Sequence, residues 1–274
     1  MPLTRTTPVS LYHEVVGEGP PVCLINGYRL SGAAWPEAFI DRLSMRCSVI
    51  SFDNRGTGRS DKPDVGYEFG NQARDVLGLL DDLGLPRAHL LGFSMGGAIA
   101  QEAAIWHADR VDRLILFATF CGGIWAEPAP LSVISRILVT EGLSAEEAAR
   151  QAWPVTYSPD YLAANAAAVE QQMRRELEYP TPTFVARRQT EALRKFDSYR
   201  RLPRIRATTL VATGTHDVLV KPRNAAILAA RIPSARLETL ADLGHRAIWE
   251  APEEMAELIG DFLTGPNRRA GGFL

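Results

Sequence analysis

A serine lies at matched distance between two glycines in the stretch HLLGFSMGGAIA, residues 89–100. An apolar run leads into Gly92, Ser94 and Gly96, and small helix-forming residues follow them. This pattern predicts a strand, a very tight turn at the serine and then a helix, which together hold the hydroxyl out above a sheet. Because the chain is crowded at such a turn, the residues two before and two after the serine must be small. Ser94 is therefore a candidate nucleophile, and a plain helix N-cap beside glycines is the structural alternative.

A glycine-rich turn can also bind phosphate, but the residues around Ser94 lack the spacing for it. No Lys-Ser or Lys-Thr pair follows the glycines, and the G-x-G-x-x-G pattern is absent. A serine hydroxyl is a poor nucleophile alone; it needs a histidine base, and the histidine needs an orienting carboxylate. The choice between nucleophile and N-cap therefore depends on residues elsewhere in the chain.

Asp217 and His245 are the candidate partners of Ser94. Asp217 lies in GTHDVLV, after the apolar run ATTLVATG, and His245 lies in LGHRAIWEAP, after the last predicted strand. As an alternative, Asp217 is a turn aspartate or the N-cap of the next helix. All three residues follow predicted strands, and a parallel sheet presents its ligand site at the carboxyl ends of its strands. The order Ser, Asp, His is one of the known orders of catalytic triads.

Short apolar runs alternate with helical segments on both sides of a long middle region. PVCLING (21–27) and CSVISFD (47–53) have the continuous apolar character of buried parallel strands, whereas FGNQARDVLGLLDDLGL (69–85) has helical spacing. This alternation predicts an α/β fold with a mostly parallel central sheet and helices on both faces.

Strand signals stop between residues 124 and 202, where SAEEAARQAW and YLAANAAAVEQQMRRELE predict helices. We therefore predict one catalytic domain, made of a first core part (1–123), a helical lid insertion (124–202) and a second core part (203–274). The aromatic residues of the insertion include Trp125, Trp153, Tyr157, Tyr161, Phe184 and Tyr199. Its inner face is expected to form the substrate pocket, with Trp125, Trp153 and Tyr157 as candidate substrate contacts.

The composition argues against several classes of partner. The 274 residues carry a net charge of −2, which disfavours binding to nucleic acid or to an anionic membrane surface.

Three cysteines without regular spacing (Cys23, Cys47 and Cys121) predict buried free thiols rather than disulfides or a zinc site. The first residues, MPLTRTTPVSLYHE, lack the apolar core of a signal peptide, and no run has the length of a membrane span. We expect a cytoplasmic enzyme with a small-molecule substrate, and formation of a homo-oligomer stays open. The last residues, PNRRAGGFL, are expected to be loose.

Taken together, the motifs resemble the α/β-hydrolase superfamily, in its lid-bearing branch of serine esterases, lactonases and haloperoxidase-like enzymes. The resemblance covers residues 9–264 and rests on GFSMGG as nucleophile elbow, SFDNRGTGRSDKP, GTHDVLV as acid loop and GHRAIWEAPEEM as histidine loop. It implies that Asp53, Arg55 and Gly56 shape a loop and that Ser60 is not catalytic.

The resemblance also implies an oxyanion hole built from two backbone amides. It assigns one amide to Met95 and the other to Tyr28, in the loop after VCLING. The chain departs from the common pattern here, because Asn26-Gly27 stands where many members have His-Gly; Asn26 is expected to hold the loop by hydrogen bonds. Arg29 in the same loop is either a solvated arginine or a contact for a substrate carboxylate or other polar group. No metal or organic cofactor is implied.

The predicted activity is hydrolysis of a carboxylic ester or lactone through an acyl-enzyme. Members of the superfamily that displace groups at an alkyl carbon use aspartate at the elbow, so Ser94 favours acyl chemistry. Two alternatives use the same triad: a carbon–carbon bond hydrolase and a cofactor-free perhydrolase or lyase. An alternative of another class is a ligand-binding receptor on the hydrolase fold.

Overall fold

The computed structural model describes residue 3 and residues 8–266, so the tail that was expected to be loose lies, apart from Pro266, outside the described residues. The central sheet has seven strands in the order β1-β3-β2-β4-β5-β6-β7. Their bounds are β1 (His13–Val16), β2 (Pro21–Ile25), β3 (Ser48–Phe52), β4 (Ala88–Phe93), β5 (Val111–Phe117), β6 (Thr208–Gly214) and β7 (Ala235–Leu240).

The described part of the chain also contains α-helices. They are α1 (Glu37–Ser44), α2 (Phe69–Asp82), α3 (Met95–Trp106), α4 (Leu131–Leu138), α5 (Ala145–Thr156), α6 (Pro159–Ala164), α7 (Ala166–Glu176), α8 (Thr183–Lys195), α9 (Pro222–Arg231), α10 (Ala247–Glu250) and α11 (Pro252–Thr264). None of these helices has the length and apolar character needed to cross a bilayer.

The sheet is parallel except at one edge. β1 runs antiparallel to β3, with His13 opposite Phe52, and every other neighbouring pair is parallel. Successive side chains of a strand point to opposite faces, so Leu90 joins the core under α2, α3 and α9 whereas Leu91 joins the core under α1 and α11. The predicted mostly parallel sheet with helices on both faces is confirmed.

Helices α4–α8 occupy the segment between β5 and β6, where strand signals stop. The sequence YLAANAAAVEQQMRRELE does not form one helix as predicted, because the chain breaks between α6 and α7 at Asn165 (φ −125°, ψ 31°). The Asn165 side chain donates to the Tyr161 carbonyl at 3.1 Å. Asparagine competes in this way with regular helical hydrogen bonding, a local effect that the apolar periodicity does not register.

Candidate active site

Ser94 occupies a strained turn between β4 and α3. Its φ of 53° lies in the left-handed region, which costs free energy for a residue with a side chain. A Cβ added at Gly92 would lie 2.5 Å from the Gly96 carbonyl oxygen, and one added at Gly96 would overlap the Ile25 carbonyl. The turn is fixed by hydrogen bonds from the Ser94 amide to the Phe117 carbonyl (2.9 Å) and from Thr119 Oγ1 to the Ser94 carbonyl (2.6 Å). The two flanking glycines are thus required sterically, as the sequence predicts.

Ser94, His245 and Asp217 form one chain of hydrogen bonds. His245 Nε2 lies 3.1 Å from Ser94 Oγ, and His245 Nδ1 lies 2.7 Å from Asp217 Oδ2. The other carboxylate oxygen of Asp217 accepts from the amides of Leu219 (3.0 Å) and Val220 (2.7 Å). These two bonds fix the plane of the carboxylate, which in turn fixes the orientation of the imidazole. The predicted partners are therefore brought together from loops after β4, β6 and β7.

Burial separates this chain of hydrogen bonds from bulk water. Asp217 is 2% exposed and His245 is 4% exposed. The imidazole packs against the Phe93 ring, with the ring centroids 5.0 Å apart. Since water screens little in such surroundings, the interaction between the imidazole and the carboxylate is stronger than it would be at the surface.

Other serine, histidine and aspartate residues considered from the sequence are either exposed or engaged in other hydrogen bonds. His216 and Asp242 are exposed, and the Asp242 amide donates to Thr215 Oγ1 on the acid loop. Ser60 is buried and donates to the Asp53 carbonyl at 2.6 Å. The Asp53 carboxylate accepts from the amides of Gly32 and Arg59, so it shapes a loop, as the resemblance implies. Within the described residues, no group of three His, Cys, Asp or Glu side chains is arranged to hold a metal ion.

The cysteines are buried and free, as predicted. Burial raises the pKa of the Cys121 thiol to about 11. Because the thiolate rather than the thiol is the reactive form, Cys121 is inert near neutral pH.

The two residues assigned to the oxyanion hole belong to segments that adjoin Ser94. Met95 begins α3, where the first amides of a helix have no intrahelical partner. Tyr28 follows Gly27, and a Cβ added at Gly27 would lie 3.2 Å from Ser94 Cβ, so its loop runs beside the serine. Within residues 8–266, neither amide is engaged in a hydrogen bond to another backbone carbonyl of a turn or loop.

Asn26 holds this loop. Its Oδ1 accepts from the Gly27 amide at 3.0 Å and its Nδ2 donates to the Ser31 carbonyl at 2.7 Å. Asn54 Nδ2 donates to the Asn26 carbonyl at 3.0 Å. The loop that the common family pattern begins with His-Gly is therefore fixed here by an asparagine that is completely buried.

A cavity of about 150 Å³ opens above Ser94. The hydroxyl and His245 lie in its wall together with residues of the loop after β2, of α5 and of the segment after α7. The wall residues are Tyr28, Arg29, Leu30, Phe93, Ser94, Ile137, Ala145, Ala148, Ala149, Ala152, Trp153, Thr156, Glu176, Leu177, Pro180, Thr181, Leu219, His245 and Arg246.

Comparison with known proteins agrees with this architecture. A family model described as alpha/beta hydrolase fold matches residues 20–252. The chain belongs to the α/β-hydrolase family. A relative from Caulobacter sp. (strain K31), named "Putative carbamate hydrolase RutD", is 33% identical over 270 residues, with 93% of this chain and 96% of the relative covered. These matches show that the protein is an α/β-hydrolase enzyme.

Solved structures of other hydrolases superpose on nearly the whole molecule. The enol-lactonase from Burkholderia xenovorans LB400 has a TM-score of 0.85 and 27% identity, covering 96% of this chain and all of its own. A thermophilic esterase from Thermogutta terrifontis has a TM-score of 0.78 and 28% identity, covering 95% of this chain and 96% of its own.

Two of the three aromatic residues expected in the pocket of this α/β-hydrolase are not in the cavity wall, and only Trp153 is. Trp125 stacks on Tyr199 at 4.3 Å between ring centroids and is 40% exposed. Tyr157 is 4% exposed and stacks on Tyr161 at 5.7 Å. Both side chains lie outside this wall and instead pack against other aromatic rings of the segment between β5 and β6.

Sequence reasoning missed Glu176, Arg246 and a stripe of small residues on α5. Ala145, Ala148 and Ala152 face the cavity at the spacing of one helical face. This stripe was visible in SAEEAARQA as a run of alanines at that spacing. Arg246 could have been found from its position directly after His245.

Arg246 connects the histidine loop of the hydrolase to α7. Its guanidinium bonds both carboxylate oxygens of Glu176, at 2.5 and 3.0 Å, and donates to the Tyr157 hydroxyl at 3.1 Å. Burial lowers the pKa of Arg246, but the adjacent Glu176 carboxylate outweighs burial and raises it above its usual range. The pair is therefore ionised and fixed in the cavity wall.

Glu250 makes a second connection between the same parts of the hydrolase. Its Oε1 accepts from the amides of Gly244 (3.1 Å) and Ser158 (3.0 Å), and its Oε2 accepts from Ser158 Oγ at 2.6 Å. Gly244 directly precedes His245, and Ser158 is the N-cap of α6. A single buried carboxylate thus joins the histidine loop to the N-terminus of α6.

We expect Glu250→Ala to lower the free energy of unfolding by about 2–5 kcal/mol, because three buried donors lose their acceptor. Glu250→Gln is expected to cost much less, since its Oε1 still accepts from both amides and its Nε2 donates to Ser158 Oγ. Urea unfolding followed by circular dichroism measures both changes. Glu253→Ala, at an exposed position in the first turn of α11, is the control. Equal losses for the alanine and glutamine variants would contradict this account of Glu250.

Proposed function

We propose that this α/β-hydrolase is a serine hydrolase that cleaves a carboxylic ester or lactone through an acyl-enzyme. The observation that carries the proposal is the continuous Ser94–His245–Asp217 chain of hydrogen bonds at the base of a cavity. A base within hydrogen-bond reach of the nucleophile, itself oriented by a third group, is the geometry that acyl transfer requires.

In the proposed reaction, His245 Nε2 takes the Ser94 proton while Ser94 Oγ attacks the substrate carbonyl. The imidazolium that forms is stabilised by Asp217, which stays ionised. The amides of Tyr28 and Met95 stabilise the negative charge on the carbonyl oxygen. His245 then protonates the leaving alcohol, and afterwards it activates the water that frees the acid from Ser94.

The names of the relatives support acyl chemistry. An enol-lactonase and an esterase are two structural neighbours that share more than 25% identity with the chain. Carbamate hydrolysis is a second candidate, because relatives that are 28–33% identical over 93–96% of the chain carry that name. Hydrolysis of a carbamate also begins with attack on a carbonyl carbon, and Ser94, His245 and Asp217 would have the same roles in it.

A panel of short esters, lactones and carbamates tests the proposal. Multiple turnover of an ester or lactone, with covalent labelling of Ser94 by a fluorophosphonate, is the expected result. Turnover of carbamates alone would replace the ester proposal with the second candidate. Tight binding with one slow turnover would favour a receptor, and cleavage of a diketone alone would favour a carbon–carbon hydrolase.

The proposal includes a lid formed by the segment 124–202, which carries α4–α8. Ile137 of α4 and the alanines of α5 lie in the cavity wall together with the loop after β2. A cover at this place excludes water from the acyl-enzyme and shapes the acyl pocket. Arg29 and Trp153 are its proposed substrate contacts.

We expect Trp153→Leu to change the preference between a four-carbon and an eight-carbon acyl ester by about tenfold, because pocket contacts of a few methylenes decide such ratios. The measurement is kcat/KM for the two esters. Trp125→Leu is the matched control, since Trp125 belongs to the same segment but stacks on Tyr199 outside the cavity wall. If both variants only lower the melting temperature and leave the ratio unchanged, Trp153 is a packing residue and specificity lies in the loop after β2.

A further inference from the structure

The cavity wall carries an uncompensated positive charge. Its ionised side chains are Arg29, Arg246 and Glu176, because His245 must be neutral to act as a base. Arg246 and Glu176 neutralise each other through two hydrogen bonds, and their side chains are only 14% and 11% exposed. Arg29 therefore supplies the net charge of the wall.

Arg29 has no carboxylate partner among the described residues, although its backbone is held from two sides. Its amide donates to Gln189 Oε1 at 3.0 Å, and its carbonyl accepts from Thr181 Oγ1 at 2.8 Å. These bonds maintain a φ of 63°, which is unfavourable for any residue that has a Cβ. Strain of this kind persists where the surroundings impose it, and such positions cluster at ligand sites.

The rest of the wall offers both apolar and polar neighbours to a ligand. Leu30, Phe93, Ile137, Trp153 and Leu219 are its apolar residues, and Thr156 and Thr181 are polar. The half-exposed Arg29 can form a charge-assisted hydrogen bond with an anion that enters the cavity.

The volume of the cavity indicates the size of anion that fits inside it. A cavity of about 150 Å³ holds about six non-hydrogen atoms, the size of a benzene molecule. A chain of three methylenes that ends in a carboxylate also has six. The part of a glutarate half-ester beyond its ester carbonyl therefore matches both the charge and the volume.

From these observations we propose that the substrate is a small ester or lactone that carries one carboxylate, and that Arg29 binds this carboxylate. The inference rests on the proposed hydrolase function and adds the chemical class of the substrate. It also distinguishes the two arginines of the wall: Arg246 is a structural ion-pair partner, and Arg29 is the specificity residue.

Monomethyl glutarate and methyl pentanoate form the test pair, because they share the chain to be cleaved and differ in the terminal carboxylate. Methanol release is followed by NMR. We expect wild-type enzyme to prefer monomethyl glutarate in kcat/KM, and Arg29→Gln to lower that preference about 10- to 100-fold, the loss that follows removal of a hydrogen bond between charged groups. Arg29→Lys should retain most of the preference. Arg187→Gln, an exposed position on α8 outside the cavity wall, is the control for the change in net charge.

Binding to Ser94→Ala separates this inference from the proposed function. Ligand-observed NMR gives the Kd of both esters for this variant, with and without Arg29→Gln. Tighter binding of monomethyl glutarate that disappears with Arg29→Gln supports the carboxylate site, even if wild-type enzyme cleaves neither ester and the ester proposal fails. Equal binding of the two esters, or a preference that survives Arg29→Gln, overturns the assignment of Arg29.

Discussion

Ser94→Ala, His245→Ala and the double variant are each expected to lose about the same activity, on the order of 10⁶-fold in kcat, by analogy with serine proteases. Ser94 supplies the attacking oxygen and His245 removes its proton, so either loss disables the same step. The 3.1 Å separation between His245 Nε2 and Ser94 Oγ makes this dependence direct. Steady-state kinetics on the best ester of the panel measures all three variants.

Two controls keep this prediction specific. Ser132→Ala, at an exposed position of α4, should leave kcat unaffected. A fluorophosphonate should label wild-type enzyme at Ser94, as located by peptide mass spectrometry. Additive losses in the double variant, or labelling at Ser51 or Ser60, would contradict the assignment of Ser94 and His245 as one catalytic unit.

Asp217→Asn is expected to lower kcat by about 10⁴-fold without unfolding the protein. The asparagine oxygen can still accept from the Leu219 and Val220 amides, so the acid loop keeps its shape. Its NH₂ group then faces His245 Nδ1, where the carboxylate oxygen accepts at 2.7 Å. Two donors cannot hydrogen-bond, so the imidazole adopts the other tautomer and Nε2 carries a proton when it should accept one.

Activity and melting temperature are measured together for Asp217→Asn. Asp242→Asn is the matched control, because Asp242 is exposed and lies three residues from His245 without contacting it through its side chain. A loss of less than about tenfold for Asp217→Asn would assign the orienting role to another carboxylate. A large fall in melting temperature would instead show that Asp217 is mainly a loop-forming residue.

The positions of Ser94, Asp217 and His245 were accessible from the sequence because their signals are local. Runs of apolar residues mark the strands, and apolar residues at helical spacing mark the helices between them. A tight turn at Ser94 has no room for side chains at positions 92 and 96, so both are glycine. Since parallel strands end at the same edge of a sheet, three loops that follow strands were expected to meet there. In the structure the three side chains meet there: His245 Nε2 lies 3.1 Å from Ser94 Oγ, and His245 Nδ1 lies 2.7 Å from Asp217 Oδ2.

Which residues of the helical segment face the cavity was decided only by the tertiary structure. Periodicity predicts a helix but not its rotation against a distant loop, so Trp153 reaches the wall whereas Trp125 and Tyr157 pack against other aromatic rings. The same holds for the ion pair of Arg246 with Glu176, which joins residues 70 positions apart in the chain. The sequence alone determined the sheet and the tight turn at Ser94 and predicted the type of chemistry, because each depends on a few consecutive residues. The shape and charge of the cavity depend on contacts between segments far apart in sequence, which form only when the chain is folded.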